Sequence, residues 1–102
     1  MWIIILFDLP VKTKKQRREA NLFRNLLKKE GFVMWQYSVY IRNVKSKKTI
    51  QNFEKVTQQE TPKGGKVSIL TILDKQYNEI VHFFGKKKEK PKPTQKNKVQ
   101  VF

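Results

Sequence analysis

The sequence predicts an α+β domain of ferredoxin-like βαββαβ order, with a short extra helix and a C-terminal strand, working as a homodimer. Three observations carry that prediction. Residues 2–7 are apolar at every position, so both alternating faces of this strand need cover. Two amphipathic helical segments, near 14–30 and 47–59, each follow a strand-forming run. A chain of 102 residues holds one domain, and its Lys/Pro-rich end does not read as core.

In the first strand, Trp2, Ile4 and Leu6 alternate with Ile3, Ile5 and Phe7, the pattern of a central strand buried on both sides. Pro10 fixes its own φ, lacks an N–H and keeps Leu9 out of helix, so the strand ends at Asp8 or Leu9. Thr13 and Gln16 have capping-box spacing and open a helix to about Glu30. Ala20, Phe23, Leu26 and Leu27 form its apolar face, and Gly31 is a natural stop. Residues 32–43 are strand-forming throughout, as two short strands broken near Gln36 or one strand with a kink. Ser46 begins a helix over 47–59 that turns Ile50, Phe53 and Val56 or Thr57 inward. Pro62 and Gly64-Gly65 make a turn into a further strand over 66–73. Asp74 is expected to cap a third helix, in which Tyr77, Ile80, Val81 and Phe84 fall at i, i+3, i+4 and i+7 before Gly85. The expected division is a domain over 1–85, a basic flexible linker over 86–97, and a strand over 98–102 packing on a sheet edge.

Two helices shield one face of such a sheet, which leaves the second face of the first strand without cover. A second copy of the same sheet is the economical solution, giving a symmetric dimer.

Charge points to the partner. The chain has 23 Lys+Arg against 8 Asp+Glu, formally +15. The tail from Lys86 to Lys98 carries seven lysines and one acid, yet positions 1–85 keep 16 basic and 7 acidic residues, or +9. A basic domain favours a polyanion, usually nucleic acid, although excess lysine also serves solubility alone. The absence of cysteine excludes disulfides, thiolate metal sites and a Cys–His dyad. His82 stands beside Phe83 and Phe84 and reads as an ordinary histidine, since a metal site needs several donors. The opening apolar run is too short to span a bilayer, and Asp8 and Pro10 end it where a signal peptide would continue. A cytoplasmic protein without a membrane partner is expected.

Only two aspartates occur. Capping accounts for Asp74, whereas Asp8 is held at a strand end between an apolar run and a rigid proline. Its carboxylate either hydrogen-bonds loop amides or acts as a metal ligand. One carboxylate cannot make a Mg²⁺ or Mn²⁺ site, because these ions take six oxygens. Two copies of Asp8 facing across a dimer axis would share one ion, with water and substrate phosphate completing the shell. Lys12, Lys14, Lys15, Arg17 and Arg18 at the start of the first helix are the candidate nucleic-acid-binding residues, aided by the helix dipole. A solvated helix face is the plainer account of each one singly.

Phe7-Asp8-Leu9-Pro10, the basic helix after it, and the segment from Gly31 to Tyr40 with its Gln36-Tyr37-Ser38-Val39-Tyr40 core resemble the small CRISPR-associated endonuclease family Cas-two. Leu73-Asp74-Lys75-Gln76-Tyr77 and the terminal Val99-Gln100-Val101-Phe102 resemble members from type II systems. The similarity spans nearly the whole chain. It implies a ferredoxin-like homodimer that bridges the Cas-one integrase and binds duplex DNA during spacer acquisition. It also implies a metal-dependent endonuclease acting on single-stranded RNA or duplex DNA, with Asp8 as catalytic and metal-binding residue. The family also contains members that act as scaffolds without cutting, so a non-catalytic DNA-binding adaptor is the second reading. An RNA-binding module of the RRM type shares the element order, but Gly31-Phe32 is followed by Val-Met-Trp and not by an RNP1 pattern.

Overall fold

A computed structural model of the chain describes residues 1–89. The elements are β1 (Trp2–Asp8), α1 (Lys14–Lys29), β2 (Val33–Gln36), β3 (Val39–Asn43), α2 (Lys47–Glu60), β4 (Lys66–Ile72), α3 (Asp74–Asn78), β5 (His82–Phe84) and β6 (Lys87–Glu89). Four strands form one sheet in the order β2-β3-β1-β4, every neighbour antiparallel. This is the ferredoxin-like plan that the sequence predicts, with the apolar β1 in the interior and β2 and β4 at the edges.

The two faces of β1 belong to two cores. Ile3, Ile5 and Phe7 point towards the long helices and pack with Ala20, Phe23 and Leu27 of α1 and with Ile50 and Phe53 of α2. Rings interlock there at angles typical of aromatic pairs, Phe7 on Phe23 at 5.4 Å and Phe32 on Phe53 at 4.6 Å between centroids. On the opposite face, Ile4, Trp35, Ile41 and Tyr77 form a smaller cluster with Trp2, Val39, Ile72 and Ile80 around it. Tyr77 of α3 stacks on Trp2 at 4.0 Å. The second face is therefore partly covered from within the chain, a cover that the sequence reading did not foresee.

Local signals set most boundaries. The Thr13–Gln16 capping box forms as expected: the Gln16 N–H donates to Thr13 Oγ1 at 3.0 Å, and the Lys12 and Thr13 amides donate to Gln16 Oε1 at 2.9 and 3.0 Å. Ser46 caps α2 by accepting from the Thr49 amide. Tyr37 and Ser38 make the break between β2 and β3, so the run 32–43 is two strands.

The region after β4 departs from expectation. α3 ends at Asn78, and Val81–Phe84 does not continue it. His82–Phe84 instead pairs with Lys87–Glu89 as a hairpin. Gly85, expected as a helix stop, has φ +64° and starts the two-residue turn, a conformation that primed hairpin turns require. The i, i+3, i+4, i+7 spacing was a chance match within a short apolar run, where strand and helix periods are hard to tell apart. Asp74 does not cap α3 either. It is the first helical residue and accepts from the Met1 amino group at 3.0 Å, while Gln76 Oε1 takes the Leu73 amide at 2.8 Å. The segment read as a flexible linker from Lys86 thus begins with strand β6, and its remainder, together with the expected strand at 98–102, lies outside the described residues.

Leu27 is fully buried at the centre of the helix-side core. Leu27→Ala is expected to lower unfolding free energy by about 3 kcal/mol, read from urea melts, through lost burial and the cavity left behind. Burial also raises the pKa of Tyr77 and of Tyr40 above 10.0. A raised phenol favours the neutral form in the fold, so its contribution is intact below pH 10 and declines as pH climbs past that value. Urea midpoints followed upward from pH 9 should therefore fall, and Tyr77→Phe should make the fall shallower.

Candidate functional site at the end of the central strand

Asp8 ends β1 on the outer face of the sheet, the one turned away from α1 and α2. Side chains on that face run Trp2, Ile4, Leu6, Asp8 along β1, and register places Leu70 opposite Ile4, Ser68 opposite Leu6 and Lys66 opposite Asp8. The α3 cover reaches only the Trp2–Ile4 end. Leu6 beyond it is 41% exposed, Leu70 across the strand pair from Ile4 is 51% exposed, and Asp8 is exposed as well. The carboxylate thus stands at the rim of an uncovered apolar strip, with a lysine across the strand pair.

The backbone around it is closely set. The Phe7 N–H donates to the Ser38 carbonyl at 3.1 Å, which ties the β2–β3 turn to β1 one residue before Asp8. Behind it, a Cβ at Gly65 would meet Leu9 Cδ2 at 2.6 Å and the Pro62 carbonyl at 3.1 Å. The α2–β4 turn thus lies close against the chain leaving β1, and a side chain at position 65 would have to displace Leu9.

Among the described residues no three of His, Asp and Glu gather in one place. A single chain therefore gives a divalent cation one exposed carboxylate, and the donor set fits such an ion only when a second carboxylate or substrate oxygens join it. His82 is no donor to Asp8's site; it is buried against Trp35, the ring centroids 4.8 Å apart.

Lys12, Lys14, Lys15, Arg17 and Arg18 are all exposed, in the loop after β1 and the first turns of α1. Arg17 has a further role that the sequence did not reveal. Its Nη1 donates to the Val11 and Lys12 carbonyls at 3.1 Å each, so it braces the loop that carries the chain from Asp8 into α1. Arg24 is not among the residues the sequence singles out, and Tyr37 stands there only as part of the Gln36–Tyr40 core. Arg24 lies two turns beyond Arg17, its Nη2 donating to Tyr37 Oη at 3.2 Å and its guanidinium 5.2 Å from the Tyr37 ring and 5.8 Å from the Phe7 ring. The available signal was an arginine at i+7 from Arg17, next to the buried Phe23.

The fold and the site define a basic domain of ferredoxin-like topology whose central strand ends in one exposed aspartate. Residues 1–80 match the family described as CRISPR associated protein Cas2. The chain is 42% identical over 96 residues to the CRISPR-associated endoribonuclease Cas2 of Paracidovorax avenae, covering 94% of this chain and 86% of that protein. It is 44% identical over 87 residues to the protein of that name from Ligilactobacillus salivarius (85% of this chain, 86% of that one). With the one from Parvibaculum lavamentivorans the identity is 38% over 102 residues, both chains being covered in full. The chain belongs to the Cas2 family, and the RRM alternative is set aside.

Proposed function

We propose that the chain is a metal-dependent endonuclease of the CRISPR system, active as a homodimer whose two Asp8 carboxylates share one Mg²⁺ or Mn²⁺ ion. The observation that carries this reading is the placement of Asp8 at the rim of the uncovered Leu6–Leu70 strip. Apolar surface of that kind favours association, and two-fold packing of this strip against itself would bring two strand ends together. The names of the relatives support an RNA phosphodiester as substrate; duplex DNA is the other candidate.

In that arrangement Asp8 supplies the carboxylate oxygens that hold the cation. A bound divalent ion polarises a phosphoryl oxygen and makes bound water a stronger acid. Lys12, Lys14, Lys15 and Arg18 hold the phosphodiester backbone by charge, independent of sequence. Arg17 keeps the β1–α1 loop in place, which fixes those cations relative to Asp8. The bond from the Phe7 amide to the Ser38 carbonyl ties the strand end to the β2–β3 turn, and the α2–β4 turn lies close on its other side, so the carboxylate is carried on supported backbone.

The same homodimer is proposed to bind duplex DNA and to bridge the Cas-one integrase as new spacers are acquired, in the cytoplasm. The basic surface supports the first part. No helix among the described residues is long and apolar enough to cross a membrane, which agrees with that compartment. The lone carboxylate per chain favours a second reading, a DNA-binding adaptor that does not cut.

Asp8→Asn should reduce Mg²⁺- or Mn²⁺-dependent cleavage of single-stranded RNA by more than about a hundredfold, as expected for loss of several kcal/mol of metal-borne stabilisation. Its DNA affinity should stay close to wild type. Cleavage that persists in Asp8→Asn would sink the nuclease reading, and a wild type that never cuts while supporting spacer integration would establish the adaptor. Leu70→Glu places a charge in the proposed interface and should shift sedimentation from dimer to monomer while preserving the fold. A Leu70→Glu protein that stays dimeric would place the interface elsewhere.

A further inference from the structure

Tyr37 is the most exposed large hydrophobic side chain among the described residues, 74% accessible, yet it is held in place. Ser38 beside it adopts φ +65°, a left-handed conformation costly for a residue with a Cβ, and its carbonyl is pinned by the Phe7 amide. Arg24 donates to the Tyr37 hydroxyl and lies over its ring. One side of the ring is thus backed by a cation, and the ring remains largely open to solvent.

Arg24 carries a second oddity. It is only partly exposed, its Nη1 and Nη2 donate only to neutral oxygens (Asn21 Oδ1 at 3.4 Å and Tyr37 Oη), its Nε is buried without a hydrogen-bond partner, and it forms no salt bridge among the described residues. A half-buried cation without an anion is electrostatically uncompensated. An anchored aromatic face beside an uncompensated cation matches the two halves of a nucleotide, a flat base and a phosphate.

We infer that Tyr37, backed by Arg24, is a stacking platform for an unpaired nucleobase, with the adjoining phosphate neutralising Arg24. This rests on the nucleic-acid reading above and adds to it a preference for single-stranded or frayed segments. A base inside an intact duplex is already stacked on both sides and gains nothing from the platform. Arg17, Asn21 and Arg24 follow at i, i+4 and i+7, so they line one side of α1 and lead the strand from the α1 start to Tyr37.

The test uses a short single-stranded DNA carrying one 2-aminopurine, and a blunt duplex of the same length, both without divalent cations. Stacking should quench the 2-aminopurine on wild type and on Tyr37→Phe. Tyr37→Leu keeps bulk but lacks a π-face, so it should lose the quenching and about tenfold in single-strand affinity. It removes no charge, so the salt dependence and the duplex affinity should be unchanged. Arg24→Gln should keep the quenching and reduce the salt slope by about one. Thermal melts of both variants establish that they fold. If Tyr37→Leu quenches and binds like wild type while the duplex still binds, the platform is refuted and the nucleic-acid reading stands. Equal losses for single strand and duplex would assign Tyr37 a general structural role and also refute it. A wild type that binds neither probe overturns both.

Discussion

Everything in this fold answers to the double-sided apolarity of β1. As the strand hydrogen-bonded to both β3 and β4, it has no free edge, and its side chains point alternately into two separate packing problems. The helix side is solved by α1 and α2, which bury Ile3, Ile5 and Phe7. The other side is solved only in part, by Tyr77 reaching over Trp2 and Ile4. Cover stops at Leu6, and Asp8 is the next residue on that face. The position of the candidate carboxylate is therefore a consequence of how the core is closed: the strand that organises the packing delivers its only acidic group to the place where packing runs out.

The parts of this architecture governed by neighbours in sequence were legible from the chain. The two-faced strand, the Thr13–Gln16 box and the Ser46 cap each depend on residues within a few positions of one another, and each is where the sequence places it; the break expected near Gln36, or a mere kink there, is a full break one residue later, at Tyr37–Ser38. The failures share a cause. Asp74 looks like a cap because aspartate before a helix usually is one, but a long-range neighbour, the Met1 amino group, takes its carboxylate. Tyr77–Phe84 fits a helical period over so few residues that the strand preference of His82-Phe83-Phe84 and the turn at Gly85 decide the outcome. The pairing of Arg24 with Tyr37 was invisible for the same reason: thirteen positions separate them, and only the folded sheet brings the guanidinium onto the ring. Asp8 stood out because it interrupts a pattern, which local reading detects well.

Charge on this molecule is divided by function of place. Lys12, Lys14, Lys15 and Arg18 after β1 are exposed, and on the proposed reading each would hold a sliding, exchanging backbone mainly through counterion release. Arg24 is different, desolvated in part and braced between Phe7 and Tyr37. A partly buried charge is screened less by salt and by water than an exposed one, so the same phosphate gains more from Arg24 than from Lys14. On the proposed reading the gradient would run from loose electrostatic capture at the α1 start to a fixed position at the β2–β3 turn, and the bond from Phe7 to Ser38 ties that turn to the strand that ends in Asp8.

On the proposed reading, association and chemistry cannot be separated in this chain. A single copy brings one carboxylate to a cation that needs six oxygens, and Lys66 opposite Asp8 further weakens a lone copy's hold on a positive ion. Pairing would bring a second carboxylate, together with a second Lys66, and would take the apolar strip around Leu6 and Leu70 out of water, which strengthens the direct contact of both carboxylates with the ion. Capture of nucleic acid needs none of this, since the α1 cations are complete in each copy. Binding should then persist at dilutions where pairing fails, whereas cutting should vanish with the dimer. On that reading the protein would act as a passive binder when scarce and gain a reactive centre only when two copies meet, so that Asp8 alone could serve a chain otherwise dominated by positive charge.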